Sequence, residues 1–188
     1  MTAQLTDLEN SRAELRKVMN ALDEEIQVQF LAAFEEVAAA YQEHFGVLFP
    51  GGRGRIRLTD PDQPLTSGVE IEAQPLGKKV GKLSLLSGGE RSLAALAFLF
   101  AVFKARPSPF YILDEVEAAL DDANLRRFLR LIEAFRGASQ LILITHQQQT
   151  MEAADVLYGV TMEPGGSSQV LAKELVVAPQ LRMTTSSL

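Results

Sequence analysis

Residues 83–93 read Leu83-Ser84-Leu85-Leu86-Ser87-Gly88-Gly89-Glu90-Arg91-Ser92-Leu93, and residues 110–115 read Phe110-Tyr111-Ile112-Leu113-Asp114-Glu115. In the first stretch a Ser-Gly-Gly turn opens onto residues 90–105, a run apolar on nearly all sides that predicts a buried helix. Such a turn presents backbone N–H groups and a hydroxyl at the positive end of the helix dipole. Glycine lets the backbone approach an anion closely. Ser87 also suits an ordinary helix N-cap, so the turn alone leaves phosphate binding and simple capping both open. The second stretch is a short apolar strand ending in two adjacent acids. Asp114 at the strand end can hold the water shell of Mg²⁺, and Glu115 can orient and deprotonate an attacking water. A strand followed by a solvated acidic turn has the same local sequence.

The order of the two stretches strengthens both functional readings. Ala119-Leu120-Asp121 follows the acids, and Ile144-Thr145-His146 ends the next apolar strand. A histidine at the C-terminal end of a strand beside Asp114 and Glu115 is placed to reach a γ-phosphate. Between the strands, Leu125, Phe128, Leu129, Ile132 and Phe135 space as one helix face, with Arg126, Arg127 and Arg130 on the other. Strand, helix and strand in succession predict an α/β fold whose parallel sheet is covered on both faces. Leu141–Thr145 reads as a buried strand. Val156–Met162 and Gln169–Val176 read as strands joined by the turn Pro164-Gly165-Gly166.

Upstream, residues 53–58 alternate, with Arg53, Arg55 and Arg57 opposite Ile56 and Leu58, and Val69-Glu70-Ile71-Glu72 alternates again. Turn chemistry at Thr59-Asp60-Pro61-Asp62 and Thr66-Ser67-Gly68 lies between them. The arginines fit cross-strand pairing with Glu70 and Glu72. A phosphate-contacting patch with Lys78, Lys79 and Lys82, open to DNA, is the other reading.

The first segment reads as a coiled coil. Leu5, Arg12, Met19 and Ile26 fall seven apart, and Leu8, Leu15, Leu22 and Gln29 follow each by three. A seam of period 3.5 needs a partner helix. From Phe30 the stripe widens through Phe34, Val37, Tyr41 and Phe45, as suits a helix entering a globular body. Gly46 and then Pro50-Gly51-Gly52 are expected to stop it. The resulting domain division is a coiled-coil arm at 1–30, a lobe at 31–178 and a disordered tail at 179–188.

The 188 residues contain no cysteine, which excludes disulfides, thiolate metal sites and cysteine nucleophiles. Two histidines cannot build a multi-histidine metal site. The net charge of −6 lies wholly in residues 1–50, where three basic residues meet nine acidic ones, so the arm is not a DNA-binding surface. The longest apolar run, Leu93–Phe103, is shorter than the ~20 residues of a membrane span. The expected setting is soluble, intracellular and without a membrane partner.

The constellation resembles the ATP-binding-cassette (ABC) ATPases. Leu86, Ser87, Gly88, Gly89 and Glu90 match the signature motif. Phe110–Glu115 matches the Walker B strand, Leu120-Asp121 the D-loop and His146 the switch histidine. A Walker A loop, G-x-x-x-x-G-K-[ST], is missing. The nearest stretch, Gly77-Lys78-Lys79-Val80-Gly81-Lys82-Leu83-Ser84, lacks one spacer and has leucine at the Mg²⁺-binding hydroxyl position.

A coiled-coil helix without a Walker A loop resembles the C-terminal half of the ATPase head of SMC (structural maintenance of chromosomes) proteins, bacterial SMC above all. The head of that family is split between the two ends of a long chain. Further runs share the likeness: Leu48-Phe49-Pro50-Gly51-Gly52, Pro107-Ser108-Pro109-Phe110, Asp114–Asp121, and Ile144-Thr145-His146 with Thr150-Met151. The expected fold is therefore the C-terminal lobe of an ABC-type P-loop NTPase head, a parallel sheet with flanking helices preceded by a coiled-coil helix. The resemblance implies ATP and Mg²⁺ as cofactors. Asp114 would hold the metal, Glu115 would act on the attacking water, and His146 would sense the γ-phosphate. Residues 86–90 would close the nucleotide of a second head, with Asp121 in contact across the dimer. The implied partners are the Walker A half of the head, a second SMC head, a kleisin subunit and DNA, at a cytoplasmic, nucleoid-associated location. The chain alone is expected to be half of an ATP-hydrolysing site and inactive. A fragment of a RecN-like or zinc-hook repair ATPase, or a non-catalytic coiled-coil interaction module, are the alternatives.

Overall fold

A computed structural model describes residues 2–77, 81–162, 166 and 168–175, with the side chains of 2–9 and of Lys82 left aside. The expected tail at 179–188 and the lysines Lys78 and Lys79 lie outside the described residues.

The first element is one long helix, α1, Thr2–Leu48. Its alanine-, glutamate- and leucine-rich sequence favours helix, and no proline or glycine interrupts residues 2–45. Leu15, Met19, Leu22 and Ile26 form an exposed stripe along its first half. From residue 30 one face begins to be covered, and Tyr41, Phe45 and Leu48 are fully buried. The expected stop at Gly46 is corrected. The helix runs through it to Leu48, because burial of Phe45 and Leu48 on the inner face outweighs the loss of about 1 kcal/mol of helix propensity at an exposed glycine.

The chain then forms an antiparallel sheet of β1 (Arg53–Leu58), β2 (Val69–Gln74) and β3 (Gly81–Lys82). The register sets Arg55 opposite Glu72 and Arg57 opposite Glu70. Arg57 forms ion pairs with Glu70 at 3.6 Å and with Glu72. This is the cross-strand pairing that the alternation predicts. Gly54 and Ile56 point inward under α1.

After a 3₁₀ turn at Leu83–Leu85 comes α2, Gly88–Ala105, the central helix, with Leu93, Ala94, Ala97, Phe100 and Ala101 fully buried. Strand β4 (Phe110–Asp114), helix α3 (Asp122–Phe135) and strand β5 (Gln140–Ile144) make a βαβ unit in which β4 and β5 pair in parallel. α3 buries Leu125, Phe128, Leu131, Ile132 and Phe135 against α2 and α1. Phe100 meets Phe135 edge-on at 4.9 Å between ring centroids. Helix α4 (Gln148–Glu152) leads to the antiparallel hairpin of β6 (Val156–Met162) and β7 (Ser168–Glu174). Of the hairpin's expected turn, Pro164 and Gly165 lie outside the described residues.

The expectation of a sheet covered on both faces is corrected. Leu113 is buried, and Tyr111, Leu141 and Leu143 are half-buried on the helix side. Phe110, Ile112, Ile142 and Ile144, on the opposite face, are 42–59% exposed. Successive side chains of a strand alternate between faces. A helix pair on one side therefore leaves four large apolar groups bare on the other. Among the described residues no helix is long and apolar enough to cross a membrane.

Candidate functional site

Two groups of residues, joined by one turn, emerge from this frame. The first lies at the C-terminal ends of the parallel strands. Asp114 ends β4 directly opposite Ile144, the last residue of β5, and its side chain is exposed. Glu115 follows with a left-handed backbone, φ 46°. For a residue with a β-carbon this conformation is strained and persists only where the surroundings hold it. Its N–H is held, donating to the Ile144 carbonyl at 2.9 Å. The left-handed step swings the Glu115 carboxylate across the end of β5. There Oε1 lies 3.5 Å from His146 Nδ1, with both side chains more than half exposed.

The second group surrounds the N-terminus of α2. Ser87 is its N-cap, and a capping box closes it. Glu90 N–H donates to Ser87 Oγ at 3.4 Å, while Ser87 N–H donates back to Glu90 Oε2 at 3.0 Å. Arg91 clamps the approach, donating to the Ser84 and Leu86 carbonyls at 3.3 and 3.4 Å. The Leu86 side chain is buried in the core, so it anchors the turn from below. Ser87, Gly89 and Glu90 line an open crevice of about 630 Å³, together with Phe49, Asp121 and Arg127. Asp121 is the N-cap of α3, its Oδ1 accepting from Asn124 N–H at 2.8 Å. Two helix N-termini thus open into one crevice, each already capped by a carboxylate, Glu90 on α2 and Asp121 on α3. Arg127 stands among them, donating to Asn124 Oδ1 at 3.1 Å.

The turn 115–121 links the groups. Ala118 N–H donates to the Glu115 carbonyl at 3.1 Å, and Leu120 N–H donates to that of Glu117 at 2.9 Å. The Ala119 carbonyl packs so close to Gly89 that a β-carbon there would sit 3.2 Å from it. The sequence-predicted residues therefore fall into Asp114, Glu115 and His146 on one side and Ser87–Glu90 with Asp121 on the other. Asp114, Glu115 and His146 do not line the crevice.

Sequence reasoning assigned no role to Glu117, which is buried and accepts a hydrogen bond from Thr150 Oγ1 at 3.1 Å. Its signal was one acid inside the otherwise apolar run Val116–Leu120. Arg127 and Asn124 also line the crevice, and the helical spacing places Arg127 only on the face opposite the apolar stripe of α3.

Comparison with known proteins bears on the fold and the family. An Smc head domain with an extended coiled coil, derived from Pyrococcus furiosus and bound to the C-terminal domain of ScpA, superposes with a TM-score of 0.79 at 39% identity. It covers 92% of this chain and 43% of that one. A structure from work on ATP-driven dimerization and DNA stimulated activation of SMC ATPases gives 0.71 at 42% identity, covering 77% and 88%. The Chromosome partition protein Smc of Mycolicibacterium paratuberculosis is 54% identical over 175 residues. These are 93% of this chain and 15% of that protein, so the chain spans about a seventh of the relative's length. The family model described as RecF/RecN/SMC N terminal domain matches residues 4–169. That match covers most of the chain, and the chain is a member of the RecF/RecN/SMC N terminal domain family, an SMC ATPase head region.

Proposed function

We propose that this chain is the C-terminal half of a split SMC head and serves ATP-dependent head engagement in chromosome partition. The observation that carries the proposal is the pairing of Glu115 with His146, 3.5 Å apart at the ends of adjacent parallel strands and beside Asp114. The family description names an N terminal domain. The assignment to the C-terminal half rests instead on the residues: signature, strand-end acids and histidine are present, and no Walker A loop occurs in the 188. The bare face of β4 and β5 supports it, since the Walker A half would cover it. In this reading residues 1–30 are the arm segment and residues 31–178 the lobe.

The residues fit Mg²⁺-ATP as one half of its site. Among the described residues no three acids or histidines gather as a metal cage. Mg²⁺ in nucleotide sites commonly needs only one or two carboxylates, the rest being phosphate oxygens and water. Asp114 would be that carboxylate. Mg²⁺-ATP supplies an electrophilic γ-phosphorus with its charge partly neutralised. Glu115 would accept a proton from the attacking water, and His146, 3.5 Å from its carboxylate, would donate toward the phosphoryl oxygens. Gly88 and Gly89 would offer backbone N–H donors to the nucleotide of a second head, with Asp121 alongside, and the Ser87 hydroxyl, which here donates to Glu90 Oε2 at 2.9 Å, would turn from Glu90 to join them. A kleisin subunit and DNA complete the partners proposed for the whole protein.

The test is Mg-ATP hydrolysis by this chain, alone and co-expressed with a Walker A half-head, with Glu115 intact or as Glu115→Gln. Activity is expected only in the pair, falling roughly 10²–10⁴-fold with glutamine. Activity in the isolated chain would mean a nucleotide loop lies elsewhere. An inactive but folded complex, with kleisin and DNA present, would favour a scaffold role built on the exposed heptad stripe.

A further inference from the structure

We propose that Glu117 is a positioning residue for Glu115, acting through a buried hydrogen bond to Thr150; the proposal rests on the reading of Glu115 as the residue that activates water. Glu117 is 2% exposed and Thr150 is 4% exposed. Thr150 Oγ1 donates to Glu117 Oε1 at 3.1 Å, and Glu117 Oε2 is buried with no hydrogen-bond partner. Taking a carboxyl group out of water with half its acceptors unused is unfavourable, and a turn needs no such group. An apolar residue between Val116 and Ala118 would serve packing alone.

The location gives the acid its purpose. Glu117 sits two residues after Glu115, in the turn whose first residue is held at φ 46°. Thr150 sits four residues after His146, on α4. The Glu117–Thr150 bond therefore ties the segment carrying Glu115 to the segment carrying His146 in the interior, while the Glu115–His146 contact is exposed. Two hydrogen bonds then hold residues 115–117: Glu115 N–H on the Ile144 carbonyl at the end of β5, and Glu117 on Thr150 of α4. With only the first, the turn could pivot about that bond and carry the Glu115 carboxylate off its line. A displacement of about 1 Å at a reacting group can lower a rate ~10²-fold. The Ala119 carbonyl against Gly89 belongs to the same turn, so its position also bears on the crevice.

The experiment uses the complete head, this chain with its Walker A partner, and four variants. Thr150→Val and Glu117→Leu remove the bond; Thr150→Ser and Glu117→Gln keep a donor and an acceptor. The first pair is expected to lose about 10-fold or more in kcat, with KM for ATP and nucleotide-dependent head association within about twofold. The second pair is expected to stay within about threefold of the unsubstituted head. The double variant Thr150→Val/Glu117→Leu should be no worse than either single one. Hydrogen exchange at the Glu115 and Ala118 amides should rise about 10-fold in Thr150→Val, with α3 unchanged. Four activities that simply track thermal stability would overturn the proposal, as would faster exchange with unaltered kcat or unaltered exchange at Glu115. Failure of the unsubstituted head to hydrolyse ATP would instead overturn the reading of Glu115. The exchange measurement needs no nucleotide and keeps the two failures apart.

Discussion

A β-carbon at Gly54 would lie 2.6 Å from Phe45 Cγ and 2.8 Å from Tyr41 Cε1. Both aromatic side chains are fully buried, and Phe45 is itself stacked on Phe49 at 4.3 Å, so neither ring can step aside. Gly54→Ala is expected to lower stability by about 1–3 kcal/mol, read as a drop in Tm. At Gly46 nothing lies within 4 Å of the same added atom, and the backbone is helical. Gly46→Ala should raise stability by about 0.5–1 kcal/mol in the same assay. The sequence shows two glycines and cannot rank them. Alternation along residues 53–58 does place Gly54 on the inner face with Ile56. The clash comes from Phe45 and Tyr41 of α1, nine and thirteen residues back in the chain and adjacent only after folding. The site residues divide in the same way. Motif order alone brings out Asp114, Glu115 and His146. The left-handed backbone of Glu115 and the buried Glu117–Thr150 bond depend on how β5 and α4 pack, and no local pattern encodes that.

At the level of elements, α1 is joined to α2 and α3 through His44. The ring is buried edge-on to Phe135 at 5.6 Å, and its Nδ1 has no partner. Burial holds its pKa below the ordinary histidine value of 6.5, against the pull of the neighbouring Glu43 carboxylate. The sign follows from linkage. As pH falls through about 6.5 the unfolded chain takes up a proton that folded His44 resists, so stability decreases toward acid. Thermal unfolding at pH 7.5 and 5.5 should show a lower Tm at 5.5, and His44→Gln should flatten that difference. The Glu43 contribution falls in a separate window. Its pKa is lowered from 4.5, first by the hydrogen bond from Lys104, so its stabilisation is lost only at more acid pH. The elements themselves were largely legible. The heptads and the single α3 stripe follow a helical period, and the length of the all-round apolar run favours helix over strand for α2. The end of α1 was not, because tertiary burial carries the helix past Gly46.

On the scale of the whole molecule, the open face of β4 and β5 is the dominant feature. Ile112 is 59% exposed, with Phe110, Ile142 and Ile144 around it. Contiguous apolar groups of this size mark a surface that another chain covers. The isolated chain is expected to self-associate, as read by light scattering across a concentration series. Ile112→Lys with Ile142→Lys should reduce that association and also prevent assembly with a Walker A half-head. Self-association unaffected by the two lysines would place the sticky surface elsewhere, with the β6–β7 hairpin next in line. The α/β character could be read from the alternation of strand and helix. The open face could not, because an apolar strand has the same sequence whether its cover comes from the same chain or another.

The continuity of α1 has a mechanical consequence. One unbroken helix passes from the exposed stripe into the aromatic core, without a hinge between them. Residues 2–29 project by roughly 40 Å at 1.5 Å per residue. A tilt of about 10° at the buried end would carry the tip through ~7 Å. The helix is thus a lever whose fulcrum is the Tyr41–Phe49 cluster. Small rearrangements among Phe45, Phe49 and Gly54 would be read out, amplified, at its far end, and forces applied there would arrive at the core as torque.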